Sequence, residues 1–217
     1  MRELAYRFID RRDEVETWRF QGSKYSATVI WDEIRPKQDK RDWHRLLWTS
    51  LYIPKHVIIS WMVMLNRMPT LDRMISWGLG VDGNCKLCQN GMESRDHLFF
   101  ECSYSKEVWQ SVLQLCGLTR RILRWEEEIK WASQKFKGKS LISNILRLAW
   151  NASIYHIWKE RNGRMHGQTF TAPNQIVQHI QDDIRLRLIS LKSITNDAVN
   201  CLLCHNWGLS LISSFCL

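Results

Sequence analysis

Apolar residues recur at spacings of three and four along most of this chain, which predicts helices separated by short polar turns. The first 16 residues break the pattern: they are charged and read as a loose arm. Trp18 and Phe20 alternate before Gly22-Ser23, which predicts a short hairpin, and Ser26 or Thr28 then caps a helix through Val29, Ile30, Trp31 and Ile34 that ends before Pro36. Asp42 can cap a helix carrying Trp43, Leu46 and Leu47, broken at Ile53-Pro54-Lys55. The run His56 to Leu65 is apolar nearly all round and is expected to be the central buried helix. A short helix follows from Thr70 to Ile75, with Gly78 just past its end.

Beyond residue 102 the periodicity strengthens. Tyr104, Val108, Trp109, Val112 and Leu115 form one stripe stopped by Gly117, and Glu126-Glu127-Glu128 suits the start of a helix through Ile129, Trp131 and Ala132. Leu141, Ile145, Leu148, Ala152 and Tyr155 form the stripe of a long helix reaching Arg164. Gln168-Thr169-Phe170 is read as extended, and Pro173 opens a last helix through Ile176, Ile180, Ile184 and Leu188. The fold class is therefore mainly α: a helical domain with a small metal knuckle and a short N-terminal β-hairpin. The expected segments are an arm over 1–16, a domain over 17–116, a basic helical extension over 117–193 and a tail over 194–217.

The knuckle is the stretch Cys85-x2-Cys88, eight residues, His97, four residues, Cys102. Three thiolates and one imidazole are a complete tetrahedral set for Zn²⁺, and with no position left open the ion is structural. Gly83-Asn84 and Asn90-Gly91 supply turn-permissive residues on either side, and Leu98 with Phe99 or Phe100 is expected to pack beneath. A redox pair would need neither His97 nor Cys102. Cys201-x2-Cys204-His205 with Cys216 offers a second grouping, but Leu202, Leu203 and Trp207 beside it suggest a tail laying its apolar side on the body. Neither Cys116 nor His166 sits in a nucleophile motif.

Composition adds three constraints. Twelve Trp among 217 residues point to helices meeting through indoles, and four Pro with ten Gly argue against a turn-rich β fold. The N-terminus lacks an apolar signal core and no run of 18 apolar residues occurs, so no membrane span is expected. A reducing intracellular compartment, nucleus or cytoplasm, fits cysteines used as metal ligands. The formal net charge is +9, and it is uneven: residues 117–193 hold fourteen Lys and Arg against six Asp and Glu, residues 78–102 only two against four. A phosphate-binding surface therefore belongs on the later helices. Its candidates are Arg120, Arg121 and Arg124, then Lys135, Lys137 and Lys139, then Lys159, Arg161 and Arg164. Trp125, Trp131 and Trp158 among them either stack bases or, more simply, fill the core.

The landmarks Trp43-x4-Trp48, Ile53-Pro54-Lys55, Trp61, Arg67-Met68-Pro69-Thr70, Arg73, Gly78, Cys85-x2-Cys88, Glu93-x3-His97-Leu98-Phe99-x2-Cys102 and Val108-Trp109 closely resemble the zinc-binding domain that follows the reverse transcriptase of plant LINE-type (non-LTR) retrotransposons. The resemblance covers roughly residues 17–110. Ile157-Trp158-Lys159-Glu160-Arg161-Asn162 is similar to the helical segment that often follows that domain. It implies one structural zinc and, by analogy, nucleic acid as partner, RNA or an RNA/DNA hybrid, with no small-molecule substrate. A protein partner or a relic without selected role is the alternative. No Tyr-x-Asp-Asp polymerase motif occurs, and Asp182-Asp183 stands alone within a helix, read as a solvated face, so no enzyme is expected.

Overall fold

The computed structural model describes residues 41–189, 195 and 197–209. The expected arm, hairpin and first helix lie outside the described residues, as does Cys216. The described residues are mainly helical. In chain order the helices are α1 (His44–Leu47), α2 (Pro54–Met64), α3 (Leu71–Ser76), α4 (Ser103–Leu115), α5 (Trp125–Lys135), α6 (Leu141–Met165), α7 (Pro173–Leu188) and α8 (Ala198–Trp207), with a π-helical turn at His97–Glu101 between α3 and α4. None is long and apolar enough to cross a membrane.

Local chemistry sets the helix ends. Pro54 and Pro173 sit in the first turns of α2 and α7, where a missing amide costs nothing. The Ser140 hydroxyl accepts from the Ser143 amide at the start of α6, and Asp197 does the same for Asn200 in α8. Gly78 and Gly117 take φ of +81° and +70° just past α3 and α4, where a side chain would be strained.

The central buried helix is α6, and this corrects the expectation for α2. On α2, Ile58 and Trp61 remain 53% and 39% exposed. Its uniform apolarity hid the fact that full burial is confined to His56, Val57, Ser60, Val63 and Met64. The 25-residue α6 instead packs against α1, α2, α4, α7 and α8. It is covered on so many sides that Asn151, His156, Glu160 and Arg161 are buried along with its apolar stripe. Each of these polar groups then needs a partner inside the protein. Trp150, on the same helix, is the aromatic hub, with ring centroids 5.1 Å from Phe100, 5.5 Å from Trp109 and 6.1 Å from Phe136.

α8 lays Leu203, Cys204 and Trp207 inward. It is tied by Asn206 Nδ2 donating to the Leu115 carbonyl and Arg185 Nε donating to that of Trp207. The expectation of a tail with an apolar side on the body holds for Leu203 and Trp207, whereas Leu202 is 53% exposed.

Candidate metal centre

The Cys85–Cys88 turn is closed by its own backbone. The Cys85 amide donates to the Gly91 carbonyl at 2.9 Å, Gln89 donates back to Cys85 at 2.9 Å, and Asn84 pairs antiparallel with Met92. The left-handed positions are Gln89 (φ +54°) and Gly91 (φ +86°), the second belonging to the turn-permissive Asn90-Gly91 pair.

His97 and Cys102 come from the π-helical turn. Five residues along an ordinary α-helix place side chains about 140° apart. Here the Cys102 amide donates to the His97 carbonyl at 2.7 Å, an i→i−5 bond that widens the turn and couples the two ligand residues directly. The turn is anchored from below by Leu98, Phe99 and Phe100, all buried, so the packing expected beneath the knuckle is present.

The four residues converge. One ligand atom from each of Cys85, Cys88, His97 and Cys102 lies within 4.8 Å of the others. Cys85 Sγ is 3.9 Å from Cys102 Sγ, and Cys88 Sγ is 3.3 Å from His97 Nε2. Ligands held tetrahedrally at zinc–sulfur and zinc–nitrogen lengths of about 2.3 and 2.0 Å stand about 3.5–3.8 Å apart, so the observed separations fit a zinc ion with only small adjustments. The Cys85 thiol donates to the Cys102 sulfur, which pushes Cys85 up and Cys102 down, so Cys85 has to give up its proton to act as a ligand, while burial pushes His97 down toward the neutral imidazole a metal requires.

Two arginines from α6 hold the knuckle in place. Arg164 Nη1 donates to the carbonyls of Leu87 and Lys86 at 2.8 and 3.2 Å, inside the Cys-x2-Cys turn. Its guanidinium lies over the rings of Tyr104 and Phe170, and its Nε donates to Glu160. Arg161 donates through Nε and Nη2 to Glu93 Oε1 at 2.9 and 2.6 Å, and the same oxygen accepts the Leu71 amide at 3.1 Å. The side chains of Arg161 and Glu93 are 4% and 0% exposed.

These contacts sort the nine cations proposed from sequence. Arg161 is buried in its ion pair and is not presented to solvent. Arg164 is spent on the knuckle carbonyls. Arg120 forms a two-pronged pair with buried Glu128 at 2.6 and 2.9 Å and stacks 3.8 Å over Trp131. Arg121, Arg124, Lys135, Lys137, Lys139 and Lys159 are exposed. Trp125 and Trp158 are buried, so the core-filling alternative is the one realised for them. Asp182 faces solvent and meets Arg185 and Gln178, as expected, but Asp183 turns inward to His156, which corrects the solvated-face reading for that residue and leaves the adjacent acids without a shared carboxylate site. Among the described residues no metal grouping forms around Cys201, Cys204 and His205.

Sequence reasoning missed Glu93 and Glu128 as buried acceptors. Glu128 also takes Trp109 Nε1 and the Leu123 amide, both at 2.9 Å. The three consecutive glutamates look alike in sequence, and only the helix phase turns the third one inward. It also missed Lys106, which with Arg121, Arg124, Phe100, Glu101 and Glu127 lines an open cavity of about 560 Å³.

Residues 25–109 match the family model for the zinc-binding domain in reverse transcriptase. All four ligands fall inside the match. No curated protein and no solved structure matches the chain.

Proposed function

We propose that the chain is a non-catalytic, zinc-stapled module derived from the reverse transcriptase of a plant-type non-LTR retrotransposon, and that it binds nucleic acid, RNA or an RNA/DNA hybrid, in a reducing intracellular compartment. Zinc holds the fold, since four protein ligands leave no coordination position for water or substrate. The family match to the zinc-binding part of reverse transcriptase supports the origin.

The observation that carries the nucleic-acid reading is the sorting of cations. Once Arg120, Arg161 and Arg164 are set aside as internally paired, Arg121, Arg124, Lys135, Lys137, Lys139 and Lys159 still face solvent, and the Arg124 side chain is 87% exposed. Arg121 and Arg124 flank the open cavity beside Lys106, while Lys137 and Lys139 lie on the turn between α5 and α6. Exposed cations of this kind release counterions on meeting phosphates, and the slope of log affinity against log salt is about −0.7 per phosphate for a single strand. Fluorescence anisotropy with a single-stranded RNA at graded salt tests it. A steep loss of affinity with salt, weakened in the K135E/K137E/K139E variant, is expected. No binding near physiological salt, or binding indifferent to salt, refutes it.

A second reading, a protein-interaction module, is favoured by Ile58, Trp61 and Trp77, which stay at least 39% exposed. Self-association or protein binding that is lost in Trp61→Ala, with no RNA binding near physiological salt, would move the assignment to that side.

A further inference from the structure

A second set of ligand-type side chains converges where α2, α6 and α7 meet. His56 lies in the first turn of α2, His156 in the middle of α6 and Asp183 on α7. One ligand atom from each lies within 4.8 Å of the other two. His156 Nε2 is 2.7 Å from Asp183 Oδ2, and His56 Nε2 is 3.2 Å from the same oxygen.

His56 is what a simple ion-pair lock does not explain. It is 1% exposed, and neither ring nitrogen has a hydrogen-bond partner, although Nε2 stands 3.2 Å from Asp183 Oδ2. A neutral imidazole has one donor and one acceptor, and leaving both unpaired in the interior costs about 1–3 kcal/mol each. Among the described residues its ring neighbours are Tyr155 at 4.6 Å and His156 at 5.7 Å. A metal ion joining the two Nε2 atoms and the Asp183 oxygen would give His56 Nε2 a partner.

We propose that His56, His156 and Asp183 form a second metal site that takes a divalent transition ion of the zinc class through the two Nε2 atoms and a carboxylate oxygen. Two imidazoles and a carboxylate suit zinc, cobalt or nickel in preference to calcium or magnesium. Ligands at about 2.0–2.2 Å from such an ion stand roughly 3.4 Å apart, so the present separations need to open by less than 1 Å. The charges facing the site are consistent with exchange. Lys55 Nζ lies 3.7 Å from Asp183 Oδ1, with a side chain 54% exposed that can leave for water, and His179 is a ring neighbour of His156 at 5.8 Å. Asp183 is 21% exposed and gives the ion a way in. Three protein ligands leave a coordination position open, in contrast to the closed knuckle.

The test is metal counting on the full chain after equilibration in zinc buffer, followed by cobalt titration of chain already holding one zinc. Two zinc ions per wild-type chain are expected, and one in each of His156→Gln and Asp183→Asn, with circular dichroism unchanged. One ion in the wild type, or two retained in both variants, overturns the proposal. Should a variant fail to fold, the wild-type cobalt titration decides. The added equivalent should give visible d–d absorption and shift the His56 and His156 imidazole protons, with at least tenfold weaker uptake in whichever variant folds. Imidazole protons that do not move overturn the assignment.

Discussion

Arg161→Met isolates a buried ion pair that joins two segments 68 residues apart in the chain. Arg161 donates three bonds to Glu93, at 2.6, 2.9 and 3.2 Å, and both side chains are inaccessible to water. Removing the guanidinium leaves a buried carboxylate with the Leu71 backbone amide at 3.1 Å as its remaining donor among the described residues. Breaking one side of such a pair costs about 3–5 kcal/mol, because the other charge stays buried and uncompensated. The double variant E93Q/R161M removes that charge while keeping an acceptor for Leu71. It should be more stable than R161M alone, with a coupling of about 1–3 kcal/mol in the double-mutant cycle. Urea unfolding followed by tryptophan fluorescence, at saturating zinc, measures all four corners. A cost below about 1 kcal/mol for R161M, or strictly additive effects, would refute the claim that this pair is the lock between α6 and the knuckle.

Other outcomes follow from the same geometry. Arg164→Ala keeps all four zinc ligands but frees the Leu87 and Lys86 carbonyls, so zinc affinity measured by competition with a chelator should fall about 10- to 100-fold. Trp150→Ala should cost about 3–5 kcal/mol in the same unfolding assay, whereas Ile58→Ala, on the exposed side of α2, should stay within about 0.5 kcal/mol. Burial pushes His56 down to about 4, against 6.5 in the unfolded chain. Between those values the unfolded chain binds more protons, so stability falls as pH drops from 6.5 toward 4, by up to about 1.4 kcal/mol per pH unit, and the slope should flatten in His56→Gln.

The Cys85, Cys88, His97 and Cys102 cluster was legible because its signal is local: four residues within an 18-residue stretch, with a spacing that few other roles demand. The start of α7 was legible for the same reason, as Pro173 announces it by short-range chemistry. The identity of the central helix was not. The run from His56 to Leu65 is more uniformly apolar than α6, yet burial is decided by how many neighbours surround a helix, which no local pattern records. Arg161 and Lys159 look alike as members of a basic run, but Arg161 points at a glutamate that the fold brings from the knuckle, and Lys159 points at water. Both Glu93 and Arg161 were visible as landmarks of the family resemblance, without any sign that they bond to each other. The His56–His156–Asp183 grouping was equally invisible, since its members come from three helices and 128 residues of sequence.

The most direct test of the closed, structural zinc site is X-ray absorption at the zinc edge on the chain loaded with one equivalent. Three sulfurs at about 2.3 Å and one nitrogen at about 2.0–2.1 Å, with no oxygen neighbour, are expected, and Cys85→Ser should lose that signature together with the native fold of the knuckle. Fewer than three sulfurs, or an oxygen ligand in the first shell, would contradict the assignment of Cys85, Cys88, His97 and Cys102 as a complete set.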